Sequence, residues 1–146
     1  MEQEIEALLR GTQFKQILEC YIKGLKDAYG LKRTEIDVLY YLSHSGPYNS
    51  AKNISSSLHR NKGHISQTTE LLCQKGYLSA SRDENDYRIV HYSITEAAIR
   101  ITEEIDALIC RLYAALFDGI APEDLEVLER VAAQMAENIN RILPDS

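Results

Sequence analysis

The sequence is poor in the residues that stabilise secreted proteins and membrane spans. Its three cysteines, Cys20, Cys73 and Cys110, are odd in number and far apart, so they predict neither a disulfide framework nor a zinc cluster. It contains no run of 18 apolar residues, which predicts no transmembrane helix, and the acidic N-terminus lacks a signal-peptide pattern. These absences predict a cytoplasmic protein.

Motifs for catalysis and metal binding are also missing. The chain has no glycine-rich phosphate loop, no nucleophile elbow and no pair of carboxylates set beside a base. Its four histidines lack the i, i+3 or i, i+4 spacing that helical metal ligands need. They are His44, His59, His64 and His91. We therefore expect no enzymatic activity, no metal and no cofactor.

Composition predicts one globular domain over residues 1–146, because 45% of the residues are hydrophobic and 26% are charged. The net charge of −6 is unevenly distributed. Residues 31–95 carry a net charge of +2, residues 1–30 carry −1, and residues 96–146 carry −7. The acidic surplus therefore lies outside the middle of the chain, and that middle remains compatible with an anionic partner.

Residues 50–76 have the pattern of two short helices joined by a tight turn, which predicts a helix-turn-helix. Ser50 can cap the first helix, whose inward positions recur at i, i+3 and i+7. A polar break at residues 59–61 follows. Asn61 can then cap the second helix, which ends at Gly76. The inward positions are Ala51, Ile54 and Leu58 in the first helix and Ile65, Thr68 or Thr69, and Leu72 in the second.

The outward side of the second helix carries hydrogen-bond donors of the kind that meet phosphates and base edges. Gly63 lies among them and would allow close approach of the backbone, whereas Glu70 on the same side would repel phosphate. The alternative interpretation is a solvated helix face. The predicted DNA-binding residues are Arg60, Asn61, Lys62, His64, Ser66 and Gln67.

A hairpin with a charged tip follows the second helix. Residues 89–94 alternate in the manner of a strand, and the polar run at residues 83–88 predicts the turn. The hairpin carries Arg82 and Arg88 as further candidates for DNA contact. For Arg82, an ion pair with Asp83 or Asp86 is an equally good interpretation.

Amphipathic helices flank this region. One spans about residues 4–28, with a weak point at Gly11 that predicts a separate or bent arm. Thr34 is predicted to cap a helix from Glu35 to His44, with Asp37 in a capping-box position. That helix is apolar nearly all round, so we expect it to be a buried platform. Tyr48 is predicted to be a lone strand pairing with the hairpin.

Two long helices close the chain. Thr95 is predicted to cap a helix that ends near Phe117, and Pro122 begins the last one. Their apolar rows, with those of residues 1–30, exceed what a DNA-binding lobe of residues 31–95 needs. Because leaving a Leu or Ile in water costs about 1.5–3 kcal/mol, residues 1–30 and 96–146 are predicted to be dimerisation helices.

The order of these elements resembles the multiple-antibiotic-resistance-regulator (MarR) family. The resemblance rests on the helix-turn-helix followed by Lys-Gly-Tyr-Leu, on Asp86-Tyr87-Arg88 near the tip of the hairpin, or wing, and on Ser-Ile-Thr before a long helix. It implies a mainly α fold with a small β wing, and a homodimer on a pseudo-palindromic operator. The second helix would enter the major groove and Arg88 the minor groove, with Asp86 bracing the wing.

The resemblance also implies a pocket for a small aromatic or anionic effector, for which the aromatic candidates are Phe14, Tyr21, Tyr40 and Tyr41. Plain core packing is the alternative for each of them. We predict a ligand-responsive repressor that binds double-stranded DNA. Two other hypotheses stay open: a winged-helix module that binds proteins instead of DNA, and a redox-sensing regulator that uses Cys20.

Overall fold

The computed structural model describes residues 3–144, which form seven helices and one two-stranded antiparallel sheet. In chain order the elements are α1 (Gln3–Arg10), α2 (Thr12–Tyr29), α3 (Arg33–His44), α4 (Ala51–Leu58), α5 (Lys62–Gln74), β1 (Leu78–Arg82), β2 (Val90–Ile94), α6 (Glu96–Leu116) and α7 (Pro122–Ile142). The predicted class, mainly helical with a small β wing, is confirmed. Among the described residues, no helix has both the length and the apolar character needed to cross a bilayer.

Two compact units divide the chain, with the boundary after Leu112. The first holds α1 to β2 and most of α6, and its core is built from α2 to α6 and the start of β1. The second holds the end of α6 and α7. No side chain of α7 is buried, and Tyr113 stacks on Phe117 with ring centroids 6.0 Å apart.

The N-terminal segment is broken where glycine predicted a weak point. Gly11 has a φ of 72°, a left-handed conformation that suits glycine, and it separates α1 from α2. The prediction for the next helix start was wrong: α3 begins at Arg33 after Lys32, not at a Thr34 cap. The Glu35 carboxylate accepts the Lys32 backbone N–H at 3.0 Å and satisfies that helix end. Asp37 instead forms an ion pair with Arg33 at 3.0 Å.

Helix α3 is the platform that its all-round apolar pattern predicted. Its buried side chains are Glu35, Ile36, Val38, Leu39 and Leu42. The four apolar ones lie in one cluster with the buried residues of α4 and α5 and with the inward row of α6. These are Ile54, Ile65, Leu72, Ile101, Ile105 and Leu108. The two helices of the helix-turn-helix are thereby held on a solid core.

The wing pairs Leu78 with Ile94 at its base and Arg82 with Val90 near its tip. At the base, the Thr95 hydroxyl donates to the Gly76 carbonyl at 2.6 Å. The lone strand predicted at Tyr48 was displaced by two residues: the isolated bridge to the wing joins Ser50 to His91. That bridge fixes β2 to Ser50, the residue that caps α4.

Candidate nucleic-acid interface

Polar side chains build the turn between α4 and α5. Ser50 caps α4 as predicted, accepting the Asn53 backbone N–H at 3.3 Å. The Ser55 hydroxyl donates to the Arg60 carbonyl at 2.7 Å, and the Arg60 N–H donates to the Ser55 carbonyl at 3.2 Å. His59 ends α4 with a φ of 52°, a left-handed conformation in which histidine is enriched among non-glycine residues. Asn61 caps α5 by accepting the His64 N–H at 2.7 Å.

The inward side of α5 is fully used by packing. Ile65, Thr68, Thr69 and Leu72 are all buried, as predicted. Both threonine hydroxyls are satisfied within the helix, Thr68 donating to the His64 carbonyl at 2.9 Å and Thr69 to the Ile65 carbonyl at 3.0 Å. The opposite side of α5 is therefore the surface that the fold leaves for a partner.

The six predicted DNA-binding residues of the helix-turn-helix are all exposed. Two of them already have partners: Asn61 caps α5, and the His64 Nε2 lies 3.2 Å from the Thr34 hydroxyl of α3. The other four side chains have no hydrogen-bond or ion-pair partner within the described part of the chain. They are Arg60, Lys62, Ser66 and Gln67, which we call the uncommitted patch.

The tip of the wing is held by the Asp83 carboxylate. It accepts the backbone N–H of Asn85 at 3.0 Å and that of Asp86 at 2.9 Å, and it lies 2.8 Å from His91 Nε2. The hydrogen bond from His91 and these two N–H groups lower the pKa of Asp83. His91 Nδ1 also lies 2.5 Å from the Asn49 side-chain oxygen, so the same ring joins the wing to the start of the helix-turn-helix.

Arg88 is presented to solvent by its neighbour Asp86. The carboxylate accepts the Arg88 backbone N–H at 3.0 Å and makes two further bonds of 3.1 Å to the guanidinium. This pairing lowers the pKa of Asp86. The Arg88 side chain is nevertheless 91% exposed. An exposed ion pair of this kind contributes little to the stability of the fold. The guanidinium can therefore exchange Asp86 for another anionic partner.

Arg82 has neither of the acidic partners that its position suggested. Its guanidinium donates to the Tyr87 carbonyl at 2.7 Å, across the turn, and makes no ion pair with Asp83 or Asp86. The structure therefore does not show the ion pair that was one of the two interpretations of Arg82, because the hairpin brings a main-chain carbonyl closest to the guanidinium. The bond closes the turn and leaves the charge of Arg82 exposed.

An ion pair between a partly exposed lysine and a buried carboxylate, which the sequence did not reveal, holds the other end of α5. Lys75, the residue that ends the helix, donates to Glu35 of α3 at 2.7 Å and to the Gly30 carbonyl at 3.1 Å. The Glu35 side chain is only 2% exposed. With His64 near Thr34, α5 is tied near both ends to the first turn of α3. The two partners are 40 positions apart, so local spacing contains no signal for them.

The four aromatic candidates for an effector pocket do not share one environment. Tyr21 lines a cavity of about 340 Å³ between α2 and α6, together with Glu104 and Arg111. Tyr41 donates to the Tyr48 carbonyl at 2.6 Å, and Tyr40 contacts His44 edge to face at 5.0 Å. Phe14 is 42% exposed on α2. The cavity thus combines one predicted aromatic residue with a cation and a carboxylate.

The cysteines are free and dispersed. Cys20 and Cys110 are exposed, and Cys73 is half-buried. Burial raises the pKa of the Cys73 thiol, and the nearby Glu70 carboxylate adds to the shift. Within residues 3–144 no three histidine, cysteine or acidic side chains are arranged to hold a metal ion.

Known proteins match both the sequence and the fold. A family profile described as a winged helix DNA-binding domain matches residues 31–98. The chain is 29% identical over 128 residues to the uncharacterized HTH-type transcriptional regulator YpoP of Bacillus subtilis, covering 88% of each protein.

Three solved structures superpose on nearly the whole chain. A MarR protein from Peptoclostridium difficile matches with a TM-score of 0.75 and 21% identity, covering 95% of this chain and 86% of that one. The S. aureus MepR–DNA complex gives a TM-score of 0.74 and 16% identity, covering 94% and 98%. Streptococcus pneumoniae FabT in complex with DNA gives 0.74 and 17%, covering 97% and 99%. At these identities the superpositions show a shared fold.

Proposed function

We infer that this chain is a winged-helix transcriptional regulator of the MarR type, and we propose that it represses transcription as a homodimer bound to a pseudo-palindromic operator. The observation that carries the proposal is the uncommitted patch on α5 and the turn before it, beside a wing that exposes two arginines. In helix-turn-helix proteins the start of the second helix is the part that enters the major groove. The packing of Ile65, Thr69 and Leu72 keeps the patch outward.

The wing supplies the second contact. Arg88 is braced by Asp86 yet almost fully exposed, a geometry suited to insertion into a minor groove, where a narrow groove concentrates negative potential. The solved MepR and FabT structures that share this fold were determined with DNA. Their likeness supports the same mode of binding here.

Apolar surface at the two ends of the chain supports the homodimer. In the first unit, Ile5, Leu8 and Leu9 of α1 are 47%, 51% and 56% exposed. In the second unit, α7 exposes a row of apolar side chains: Leu128, Val131, Met135, Ile139 and Ile142. A second copy would remove such rows from water, and it would supply the second recognition helix needed for a half-site about 34–36 Å away.

Salt-dependent binding tests the proposal. Fluorescence anisotropy with a duplex from upstream of the chain's own coding region should give an affinity that falls steeply between 50 and 200 mM salt, because cations on the protein displace counterions from phosphate. Replacing Lys62 by Ala should weaken binding and reduce the salt slope by about 2 for the dimer, because each protomer neutralises one phosphate fewer.

Lys23→Ala is the matched control, since it removes the same charge from an exposed position on α2. It should bind as the unaltered protein does. If no duplex binds at low salt, DNA recognition is excluded, and the fold serves as a protein-interaction module.

The cavity between α2 and α6 supports the ligand response. Arg111 offers a cation to an anionic group, and Tyr21 offers a ring for stacking. Tyr29 donates to Glu104 at 2.9 Å, which holds one wall of the cavity and raises the pKa of Tyr29. We propose that a small aromatic or anionic effector binds there and shifts the population between DNA-competent and incompetent states.

A ligand screen by thermal shift, repeated with Arg111→Gln, tests this part. An effector should raise the midpoint of the unaltered protein, release it from DNA and lose its effect in the variant. Effectors that act equally on both proteins would place the pocket elsewhere. The redox alternative has a separate test: if peroxide abolishes DNA binding and Cys20→Ser prevents this, Cys20 is the sensor.

A further inference from the structure

Gly63 has no structural reason to be glycine. Of the seven glycines in the chain, five have a positive φ, between 55° and 81°, which explains their presence. The two others, Gly24 and Gly63, lie inside α2 and α5. Gly63 is the second residue of α5, in the middle of the proposed DNA-binding surface.

The protein has room for a side chain at this position. A Cβ built on Gly63 would meet only the Asn61 side-chain oxygen, at 3.5 Å, which is an ordinary van der Waals distance. The φ of Gly63 is not in the left-handed region, so alanine would fit without strain. Alanine is also the better helix former, because glycine loses more backbone entropy when it is ordered. The helix therefore carries a residue that weakens it for no internal purpose.

The open position lies within the uncommitted patch. On a helix, residues three and four apart are neighbours on one face, so Gly63 adjoins Ser66 and Gln67. Serine has one of the shortest polar side chains, and it reaches a base edge only when the helix backbone itself comes close. The missing side chain at residue 63 and the short one at residue 66 both suit a partner that lies close to the backbone of α5.

We propose that Gly63 is a specificity-determining position at which the backbone of α5 lies in van der Waals contact with the operator. The absent side chain lets the first two turns of α5 sink far enough into the major groove for Ser66 and Gln67 to reach base edges. This inference rests on the proposed DNA-binding function and adds to it the residue that sets the depth of insertion.

The consequence is an opposite effect on folding and on recognition. Gly63→Ala should keep or raise the thermal midpoint, because it only improves helix propensity. It should also lower the affinity for the specific site by about tenfold or more, the effect that accompanies one mismatched base pair in a site. Gly63→Leu should lower it further. Non-specific binding should change by less than about twofold, since it depends on phosphate contacts alone.

Fluorescence anisotropy measures these affinities with two probes: duplexes that the unaltered protein selects from a random-sequence pool, and one unselected duplex. Gln74→Ala, at the exposed far end of the same helix, is the control and should match the unaltered protein with both. If Gly63→Ala leaves the specific affinity unchanged, or lowers the thermal midpoint, the inference about Gly63 is refuted while the proposed function stands. If the unaltered protein selects no sequence and binds no duplex at low salt, the proposed function fails with it.

Discussion

Removing the amine of Lys75 should destabilise the protein far more than removing an ordinary surface lysine. In Lys75→Met the Glu35 carboxylate, 2% exposed, would keep only the Lys32 N–H as a partner. Breaking a buried ion pair from one side costs about 3–5 kcal/mol, because the remaining charge is left without compensation. The Lys75 side chain is 35% exposed, so water can enter, and we expect a loss of about 3 kcal/mol.

Restoring neutrality should recover most of this loss. In Glu35→Gln/Lys75→Met no buried charge remains, and the glutamine oxygen can still accept the Lys32 N–H. Neutral replacements of buried ion pairs are often close to neutral in stability. We expect the double variant to lie within about 1 kcal/mol of the unaltered protein, which recovers about 2 kcal/mol of the loss in Lys75→Met.

Urea unfolding at pH 7 measures both values. With a slope of about 2 kcal/mol per molar urea, Lys75→Met should shift the midpoint by about 1.5 M. Protein concentration is held constant, since the stability of a dimer depends on it. Lys62→Met is the control: its amine has no partner in the described part of the chain, and its stability should stay within about 0.5 kcal/mol of the original. The reasoning would be refuted if Lys75→Met lost less than about 1 kcal/mol of unfolding free energy, or if the double variant were less stable than the single one.

Three further perturbations follow from local geometry. The pKa of Asp83 is lowered mainly by the hydrogen bond from His91. The Asp83 carboxylate therefore contributes its full stability above about pH 4, the pKa of an unfolded aspartate, and loses it as the pH falls through the pKa of the folded state. The difference in melting temperature between the unaltered protein and Asp83→Asn should shrink over that pH range. Ser50→Ala removes the cap that accepts from Asn53 and should cost about 1 kcal/mol by urea unfolding. Ile65→Ala, at 0% exposure, should cost about 2–5 kcal/mol in the same assay, and a smaller loss would show that the core repacks.

Features governed by neighbouring residues could be predicted from the sequence. The caps at Ser50 and Asn61 need only a side-chain oxygen two or three residues before a backbone N–H, so their signals are local. The break at Gly11 likewise follows from the conformation that one residue prefers. The predictions of where helices occur, of their order and of the outward face of α5 all depended on such short-range rules.

Tertiary pairings could not be predicted in the same way. His64 meets Thr34 and Lys75 meets Glu35 across 30 and 40 positions, and spacing within one element gives no information about them. The Thr34 cap failed for a related reason. Lysine is a poor capping residue, but the carboxylate of Glu35 satisfies the Lys32 N–H and lets α3 begin earlier than a Thr34 cap would allow.

Internal pairing shows which residues carry the net charge of +2 of residues 31–95. Three of the six acidic residues in this lobe lie within 3.1 Å of a lysine or arginine, which offsets their charge. The pairs are Asp37 with Arg33, Glu35 with Lys75, and Asp86 with Arg88. The remaining acids are Glu70, Asp83 and Glu84, against five cations with no acidic partner among the described residues: Lys32, Lys52, Arg60, Lys62 and Arg82.

If α5 binds DNA as proposed, the position of Glu70 limits the length of the helix surface that can approach it. It is exposed on α5 and, being three residues after Gln67 and four after Ser66, it continues the face that carries the uncommitted patch. A carboxylate there repels phosphate and raises the cost of deeper engagement along the helix. Under the proposed function, contact would therefore be confined to the first two turns of α5, which begin at the cation Lys62 and contain Gly63, whose backbone has no side chain to cover it.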